Sequence, residues 1–195
     1  EKQPVSHPQT LSGIYAALVT SRRQNGEGPD IPATLKIARF ARQAGCAGAA
    51  GGAEMLGIHL EGPFINPVRR GAFPAGALRD PSLTEWEMLL KAGRGAIRQV
   101  TLAPELPGAL GLIRGVTRGR VIAALGHTDA TAAECAAGFE AGIRHVTHLF
   151  NAMRPIHQRE GGPVVAALLE GRATCELICD GAHVAPEVLR LAYRS

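Results

Sequence analysis

The second two-thirds of the chain repeats one pattern: a short apolar run, polar residues at its end, a turn, and a helical segment. Short apolar runs bounded by Gly, Pro, Asn or Asp are typical of buried strands. Strands that alternate with helical patterns predict a parallel sheet of β/α units, and therefore an α/β protein. The five apolar runs end at Glu61, Glu105, His127, His148, and Asp180 with His183.

Local start signals indicate helices between these runs. In SLTEWEMLLKAG, Ser82 precedes Glu85 by three residues, and in TAAECAAGFEAG, Thr131 precedes Glu134 by three. This spacing is that of a capping box, which satisfies free backbone N–H groups at a helix start. Weaker helical patterns occur in ALGLIRGVTRG, GPVVAALLEG and PEVLRLAYRS. The sequence therefore predicts a helix after each strand.

The first 54 residues are less regular than the rest. TLSGIYAALVTSRRQ and PATLKIARFARQAG have helical or mixed periodicity, and the AGAAGGA stretch lacks the GxGxxG spacing of a nucleotide-binding loop. We predict an N-terminal helical or mixed segment over residues 1–54. Residues 55–195 would carry the β/α units and the functional site, within a single incomplete domain.

Composition argues against two classes of partner. The net charge is +4, the basic residues are scattered, and aromatic residues make up 4% of the chain. Nucleic-acid sites need a basic stripe or aromatic platforms, so we expect no nucleic-acid partner. A membrane-spanning helix needs about 20 apolar residues, and no run approaches that length, so we expect no membrane partner.

The four cysteines form no CxxC pair. Zinc binding or a disulfide is possible for them, but buried free thiols are the favoured interpretation. Free thiols indicate a reducing compartment, and the opening EKQPVSHPQT has no apolar core of a signal peptide. We therefore predict a cytoplasmic protein.

Glu61, His127 and His148 lie at the same relative place in three different β/α units. Each histidine alone is explained by capping or packing, whereas a carboxylate directly after an apolar strand is costly to bury without a partner. Together they would converge on one rim, because the carboxyl ends of parallel strands meet at the same edge of a sheet. One carboxylate and two imidazoles suit zinc or a similar divalent ion and leave a position for water or a substrate oxygen. The sequence therefore predicts one catalytic metal ion.

The remaining histidines and one arginine allow less specific interpretations. His59 lies on the strand face of Glu61, as a core residue or a neighbour of the site. His145 is expected to pack at a strand start, and His183 could face the same rim as the metal ligands. Arg159, in the loop HQREGG, is either a phosphate clamp or a solvent-facing residue.

Five motifs in order carry a family resemblance: HLEGPFINP with RRGAF, TLAPE, GHTDAT, THLFNAM and DGAHV. Over roughly residues 55–190 they resemble N-acetylglucosamine-6-phosphate deacetylases of the amidohydrolase superfamily. The resemblance implies a partial (β/α)₈ TIM-type barrel with one divalent metal ion, usually zinc or iron. It also implies Glu61, His127 and His148 as the ligands, in agreement with the argument from the strand ends.

The same resemblance implies hydrolysis of the acetyl group of N-acetylglucosamine 6-phosphate, giving glucosamine 6-phosphate and acetate. Asn151 and Ala152 would meet the sugar phosphate through side chain and backbone, and His183 would contact the sugar or phosphate. Arg159 would reach a phosphate, often that of the neighbouring subunit's site. The implied assembly is a homodimer.

Three departures from the family pattern bear on catalysis. Phe73 stands where the family has a histidine that polarises the amide carbonyl, and losing one such donor costs about 10²–10³ in rate. The family's catalytic aspartate would lie beyond Ser195, so no catalytic residue is assigned within the chain. The amino-terminal strands and small β-sandwich of the family are absent, and a full barrel needs about 250 residues against the 195 given.

These departures leave several interpretations open. The chain is either a partial view of a longer enzyme or a truncated, catalytically inactive relative that binds metal or phosphosugar. Partial coverage of a longer enzyme, or pairing with another chain, is favoured, because a truncated product would expose unpaired strand edges. Another amidohydrolase, such as a cyclic-amide hydrolase, is a third reading, although its HxH opening motif and bridging lysine are not found.

Overall fold

A computed structural model describes the backbone of residues 14–19 and residues 55–195. Six strands form one parallel sheet in which each strand neighbours the next along the chain. This sequential order is that of a (β/α) barrel, so the predicted α/β class and partial barrel are confirmed. The strands are β1 (Ile14–Val19), β2 (Met55–Glu61), β3 (Ile97–Leu102), β4 (Ile122–Leu125), β5 (His145–Val146) and β6 (Thr174–Cys175).

Five helices follow β2 to β6, and two short 3₁₀ turns (Pro67–Arg69 and Ala75–Ala77) lie in the loop after β2. Neighbouring helices of the first four pack against each other, as in the outer layer of a barrel. The helices are α1 (Leu83–Gly93), α2 (Ala109–Arg118), α3 (Ala132–Ala141), α4 (Gly162–Leu169) and α5 (Pro186–Arg194).

The predicted helix starts are confirmed at α1 and α3. The Ser82 side chain accepts a hydrogen bond from the Glu85 backbone N–H, and α1 begins at the next residue. At α3 the capping box is complete: Thr131 accepts from the Glu134 N–H, and the Glu134 carboxylate accepts from the Thr131 N–H. Both signals are local, so they act before any tertiary contact forms.

The two faces of the sheet differ in polarity. Side chains alternate between the faces of a strand, and one set of alternate residues packs into the apolar core beneath the helices. The other set is polar and buried, and its members lie on β2, β3 and beside β5. The apolar set includes Ile58, Leu60, Val100, Leu102, Leu125 and Val146, and the polar set includes His59, Gln99, Thr101 and Thr147.

The fifth predicted strand, CELICDGAHV, is much shorter than expected. β6 ends at Cys175, and hydrogen bonding to the β5 segment continues only to Glu176, whose N–H donates to the Val146 carbonyl (2.9 Å). Within the described part of the chain, β6 pairs on one side only. The residues after Glu176 therefore extend no strand within the described part of the chain.

The prediction for residues 1–54 falls largely outside the described residues, where only β1 is placed. Of the cysteines, Cys46 is also outside them. The other three are free thiols, but only Cys135 is buried; Cys179 is exposed, so burial was wrongly predicted there. In residues 55–195 and β1, no helix is both long and apolar enough to cross a membrane.

Candidate metal centre

Three side chains from three β/α units meet at the carboxyl end of the sheet. Glu61 is the last residue of β2, and His127 and His148 each lie two residues beyond the end of β4 and β5. In a parallel sheet the strand ends share one edge, so residues 66 and 87 positions after Glu61 reach the same point. All three side chains are largely buried.

The potential ligand atoms are close together. Oε1 of Glu61 lies 2.8 Å from Nε2 of His127 and 2.7 Å from Nε2 of His148. The two Nε2 atoms are 3.0 Å apart. Among the described residues this is the one group of His, Cys, Asp and Glu side chains that could hold a metal ion.

A backbone carbonyl determines which nitrogen of His127 faces the group. Nδ1 of His127 lies 2.8 Å from the carbonyl oxygen of Arg69. A carbonyl oxygen only accepts hydrogen bonds, so we assign the hydrogen of the neutral ring to Nδ1. A bound metal ion would then meet the Nε2 lone pair on the side of Glu61 and His148, whereas in the ion-free chain a hydrogen on Nε2 would donate to Glu61. A metal-binding histidine commonly has its other nitrogen held in this way.

The donor set fits a divalent metal ion. A single proton on either ring joins only one pair of the three converging atoms, whereas a metal ion contacts all three. The three atoms are 2.7 to 3.0 Å apart, close enough for one ion to be held by all of them. One carboxylate and two imidazoles would leave a coordination position for water or substrate.

The electrostatics of the group also favour a cation. Burial raises the pKa of the Glu61 carboxyl, but the hydrogen bonds with His127 and His148 outweigh it and hold that pKa well below its usual range. Burial lowers the pKa of His148, yet the hydrogen bond and negative charge of Glu61 raise it overall. At neutral pH the centre therefore contains an ionised carboxylate in a poorly hydrated position.

The backbone at both histidines is unusual. His127 has φ 47° and His148 has φ 33°, in the left-handed region that side chains disfavour by about 1–3 kcal/mol. The carbonyl of His127 accepts from the Asn66 N–H (2.9 Å), and that of His148 accepts from the Asn151 N–H (2.9 Å). Strained residues held by such contacts concentrate at functional sites.

Gly126 allows the chain to reach His127. A Cβ at this position would lie 2.7 Å from Cγ2 of Thr101 and 3.1 Å from Cβ of Thr147. The first distance is too short for a real Cβ contact and the second is tighter than most. Glycine is therefore the residue that fits between β3 and the end of β5 here. The glycine of the GHTDAT segment therefore has a packing reason.

Phe73 occupies the wall beside the histidines. Its ring is buried and meets the His127 ring edge to face, with centroids 5.2 Å apart and an interplanar angle of 89°. A phenyl ring offers no hydrogen to an oxygen in the site, so this wall is apolar.

Two of the four predicted substrate-binding residues lie in the turn at His148, and the other two are exposed. Asn151 and Ala152 belong to the turn that begins at His148, and the Ala152 carbonyl accepts from the Thr128 N–H (3.1 Å). Arg159 is exposed in a turn before α4, and His183 is exposed with Nδ1 2.6 Å from Asp180. Within residues 55–195, neither Arg159 nor His183 hydrogen-bonds to the three potential ligands.

A buried polar layer beneath the centre was only partly anticipated. Nε2 of His59 lies 2.7 Å from the Thr101 hydroxyl, which lies 2.7 Å from the Thr147 hydroxyl. Deeper in the sheet, Nε2 of His145 lies 2.6 Å from Glu176. The sequence contained a signal for this layer: polar residues occur two apart on β2, β3 and the β5 segment, which is the period of one strand face.

The fold and the centre define a class of protein. Parallel β/α units that place a carboxylate and two histidines at their carboxyl ends are those of an amidohydrolase-type barrel. Comparison with known proteins identifies the family within this class.

Two curated relatives illustrate the similarity. N-acetylglucosamine-6-phosphate deacetylase of Bacillus subtilis (strain 168) is 44% identical over 142 residues, which cover 73% of this chain and 36% of that protein. N-acetylgalactosamine-6-phosphate deacetylase of Escherichia coli O157:H7 is 36% identical over 187 residues, which cover 91% of this chain and 49% of that protein. No protein-family model matches the sequence.

Solved structures agree. The crystal structure of N-acetyl-D-glucosamine-6-phosphate deacetylase from Mycobacterium smegmatis superposes with a TM-score of 0.80 at 42% identity, covering 93% of this chain and 45% of that chain. The Thermotoga maritima N-acetylglucosamine-6-phosphate deacetylase gives a TM-score of 0.73 at 29% identity, with coverages of 92% and 46%.

The chain belongs to the N-acetylglucosamine-6-phosphate deacetylase family. It spans less than half the length of these relatives.

Proposed function

We propose that this protein hydrolyses N-acetylglucosamine 6-phosphate to glucosamine 6-phosphate and acetate. The observation that carries the proposal is the convergence of Glu61, His127 and His148 at the carboxyl end of a sheet shared with deacetylases. A mutant of the Mycobacterium smegmatis deacetylase, with a TM-score of 0.79 to this chain, is in complex with N-acetyl-D-glucosamine-6-phosphate. A phosphorylated amino sugar is accordingly the proposed substrate.

The proposed cofactor is one divalent metal ion held by Glu61, His127 and His148, with zinc as the leading candidate and iron the alternative. When bound, such an ion lowers the pKa of water toward about 7 and polarises a carbonyl. The chain's own contribution is orientation: Glu61 supplies the negative charge, and the Arg69 carbonyl holds His127 with Nε2 toward the ion. The general base stays a prediction from the family resemblance, as an aspartate beyond Ser195.

Four residues are proposed to hold the sugar phosphate: Asn151, Ala152, Arg159 and His183. Asn151 and Ala152 follow His148 directly in its turn, where both lie half-buried. Arg159 and His183 are exposed, which suits contact with a charged ligand. A homodimer in which Arg159 serves the neighbouring site, and a cytoplasmic location, remain part of the proposal.

Alanine variants of the proposed ligands test the function. Glu61→Ala and His148→Ala should each lose bound metal and abolish release of acetate from N-acetylglucosamine 6-phosphate, because two ligands hold the ion poorly. Metal content by mass spectrometry and acetate by a coupled assay are the readouts, with His157→Ala, an exposed loop histidine, as control. Full turnover in both ligand variants would overturn the proposal, as would substrate binding without acetate release in the unaltered protein.

A second substrate follows from the Escherichia coli relative, which acts by name on N-acetylgalactosamine 6-phosphate and matches 91% of this chain. The two sugars differ only in the orientation of one hydroxyl. The ratio of kcat/KM for the two phosphates decides between them, and we expect the glucosamine derivative to be preferred. A ratio in favour of the galactosamine derivative would reassign the substrate without changing the chemistry.

A further inference from the structure

Glu105 lies in the loop after β3, and its carboxylate accepts three hydrogen bonds. Oε1 accepts from Nδ2 of Asn66 (2.9 Å) and from the Asp129 backbone N–H (2.7 Å). Oε2 accepts from the Thr128 hydroxyl (2.6 Å). The donors come from two other loops, those that follow β2 and β4.

These donors surround the backbone of His127. Thr128 and Asp129 are the next two residues of the chain, and the Asn66 N–H donates to the His127 carbonyl (2.9 Å). His127 itself has the disfavoured φ of 47°. The bonds to Glu105 therefore hold the backbone on the carboxyl side of a strained residue whose ring must point at the metal position.

We infer that Glu105 is a positioning residue that sets the geometry of the metal centre through His127. The inference rests on the proposed function, because it assumes that His127 binds the ion. Glu105 is not itself a member of the group that could hold a metal. Its role follows from charge: an ionised carboxylate only accepts, and each bond to it is roughly twice as strong as a neutral one.

The same loops are joined again at Asp129. Its carboxylate accepts from Nε of Arg69 (2.7 Å) and from Nη2 of Arg154 (2.9 Å). Arg69 also supplies the carbonyl that holds Nδ1 of His127. Losing Glu105 would free the backbone N–H of Asp129, and so loosen the contact that orients the ring as well as the backbone.

Glu134, which lines the same surface cleft as Glu105, offers a matched control. Its carboxylate also accepts several bonds, from the N–H and hydroxyl of Thr131, but at the start of α3. Removing it should lower thermal stability without reaching the metal centre. Glu105→Ala, Glu105→Gln and Glu134→Ala therefore separate a positioning effect from a general loss of stability.

The readouts are zinc affinity by competition with a chelator and the visible absorption spectrum of the cobalt-substituted protein. Glu105→Ala should weaken zinc binding about 10–100-fold, as loss of outer contacts to metal ligands does, and shift the cobalt bands. Glu105→Gln should show a smaller change in both than Glu105→Ala, because its amide oxygen still accepts while its amide nitrogen cannot. Glu134→Ala should lower the Tm of the metal-free protein and leave affinity and spectrum unchanged.

The outcomes distinguish the two proposals. Wild-type affinity and spectrum in Glu105→Ala would overturn the positioning role while leaving the metal site intact. A wild-type protein that binds no zinc or cobalt would overturn the proposed function, and this inference with it. If Glu105→Ala does not fold, Glu105→Gln and Thr128→Val decide, since Thr128→Val removes one donor and should weaken zinc binding in the same direction.

Discussion

At His127 a single backbone carbonyl decides which ring nitrogen can reach a metal ion. The Arg69 oxygen takes the Nδ1 hydrogen, and Nε2 is left to face Glu61 and His148. Arg69 and His127 are 58 residues apart in sequence. The role of His127 as a possible metal ligand was predictable from its place after a strand, but its tautomer depends on a contact that only the folded chain makes.

The substitution Phe73→His tests the contribution of a single side chain beside His127. Phe73 packs against the His127 ring where the family resemblance leads us to expect a hydrogen-bond donor. Placing a donor there should raise kcat for N-acetylglucosamine 6-phosphate by about 10²-fold, the lower end of the range for one such donor. Phe73→Leu keeps an apolar wall and should show no rise. An unchanged kcat in Phe73→His at normal metal content would contradict the expectation.

The loops at the strand ends are the elements that build the site. Their lengths and turns place Glu61, His127 and His148 at one edge, while the alternation of strand residues separates the polar layer from the apolar core. Although only α3 has the complete capping box, the starts of α1 and α3 were predicted correctly because each signal lies within four residues. The short β6 was not, because strand length depends on a partner strand distant in sequence.

Gly126→Ala tests the loop after β4. The new methyl group would lie 2.7 Å from Cγ2 of Thr101, so the loop must shift and carry His127 with it. We expect the free energy of unfolding to fall by about 1–3 kcal/mol, the usual effect of overpacking, and zinc affinity to fall as well. Denaturant unfolding and metal titration measure the two effects.

Gly111→Ala is the control for that substitution. Gly111 lies within α2, and a Cβ there meets no atom within 4 Å. Alanine should stabilise the protein by about 0.5–1 kcal/mol, since glycine is the poorer helix former. Equal effects of the two substitutions would show that Gly126 is not tightly confined.

In the whole molecule the metal centre brings together the strand ends of three β/α units. An ion bound by Glu61, His127 and His148 would join the ends of β2, β4 and β5, so its binding energy would add to folding stability. Apolar packing beneath the helices stabilises the outer face of the sheet, whereas the inner face is polar and is stabilised by hydrogen bonds.

Removal of the metal should therefore destabilise the protein. Treatment with a chelator is expected to lower the Tm, and added zinc to restore it, because free ion at 1,000 times its Kd contributes about 4 kcal/mol. Thermal unfolding with and without zinc is the measurement. Glu61→Ala should show no zinc-dependent shift, and a zinc-independent Tm in the unaltered protein would argue against the site.

The sequence by itself determined the order of strands and helices, the helix starts, and which strand ends carry a carboxylate and two histidines. These features follow from side-chain periodicity and turn residues, which act over a few positions. The tertiary structure decided the tautomer of His127, the strained backbone at both histidines and the three bonds to Glu105. The His127 tautomer, the contact of Asn66 with the His127 carbonyl and the bonds to Glu105 join groups more than 20 residues apart, and only the packing of parallel strands brings such groups into hydrogen-bonding distance.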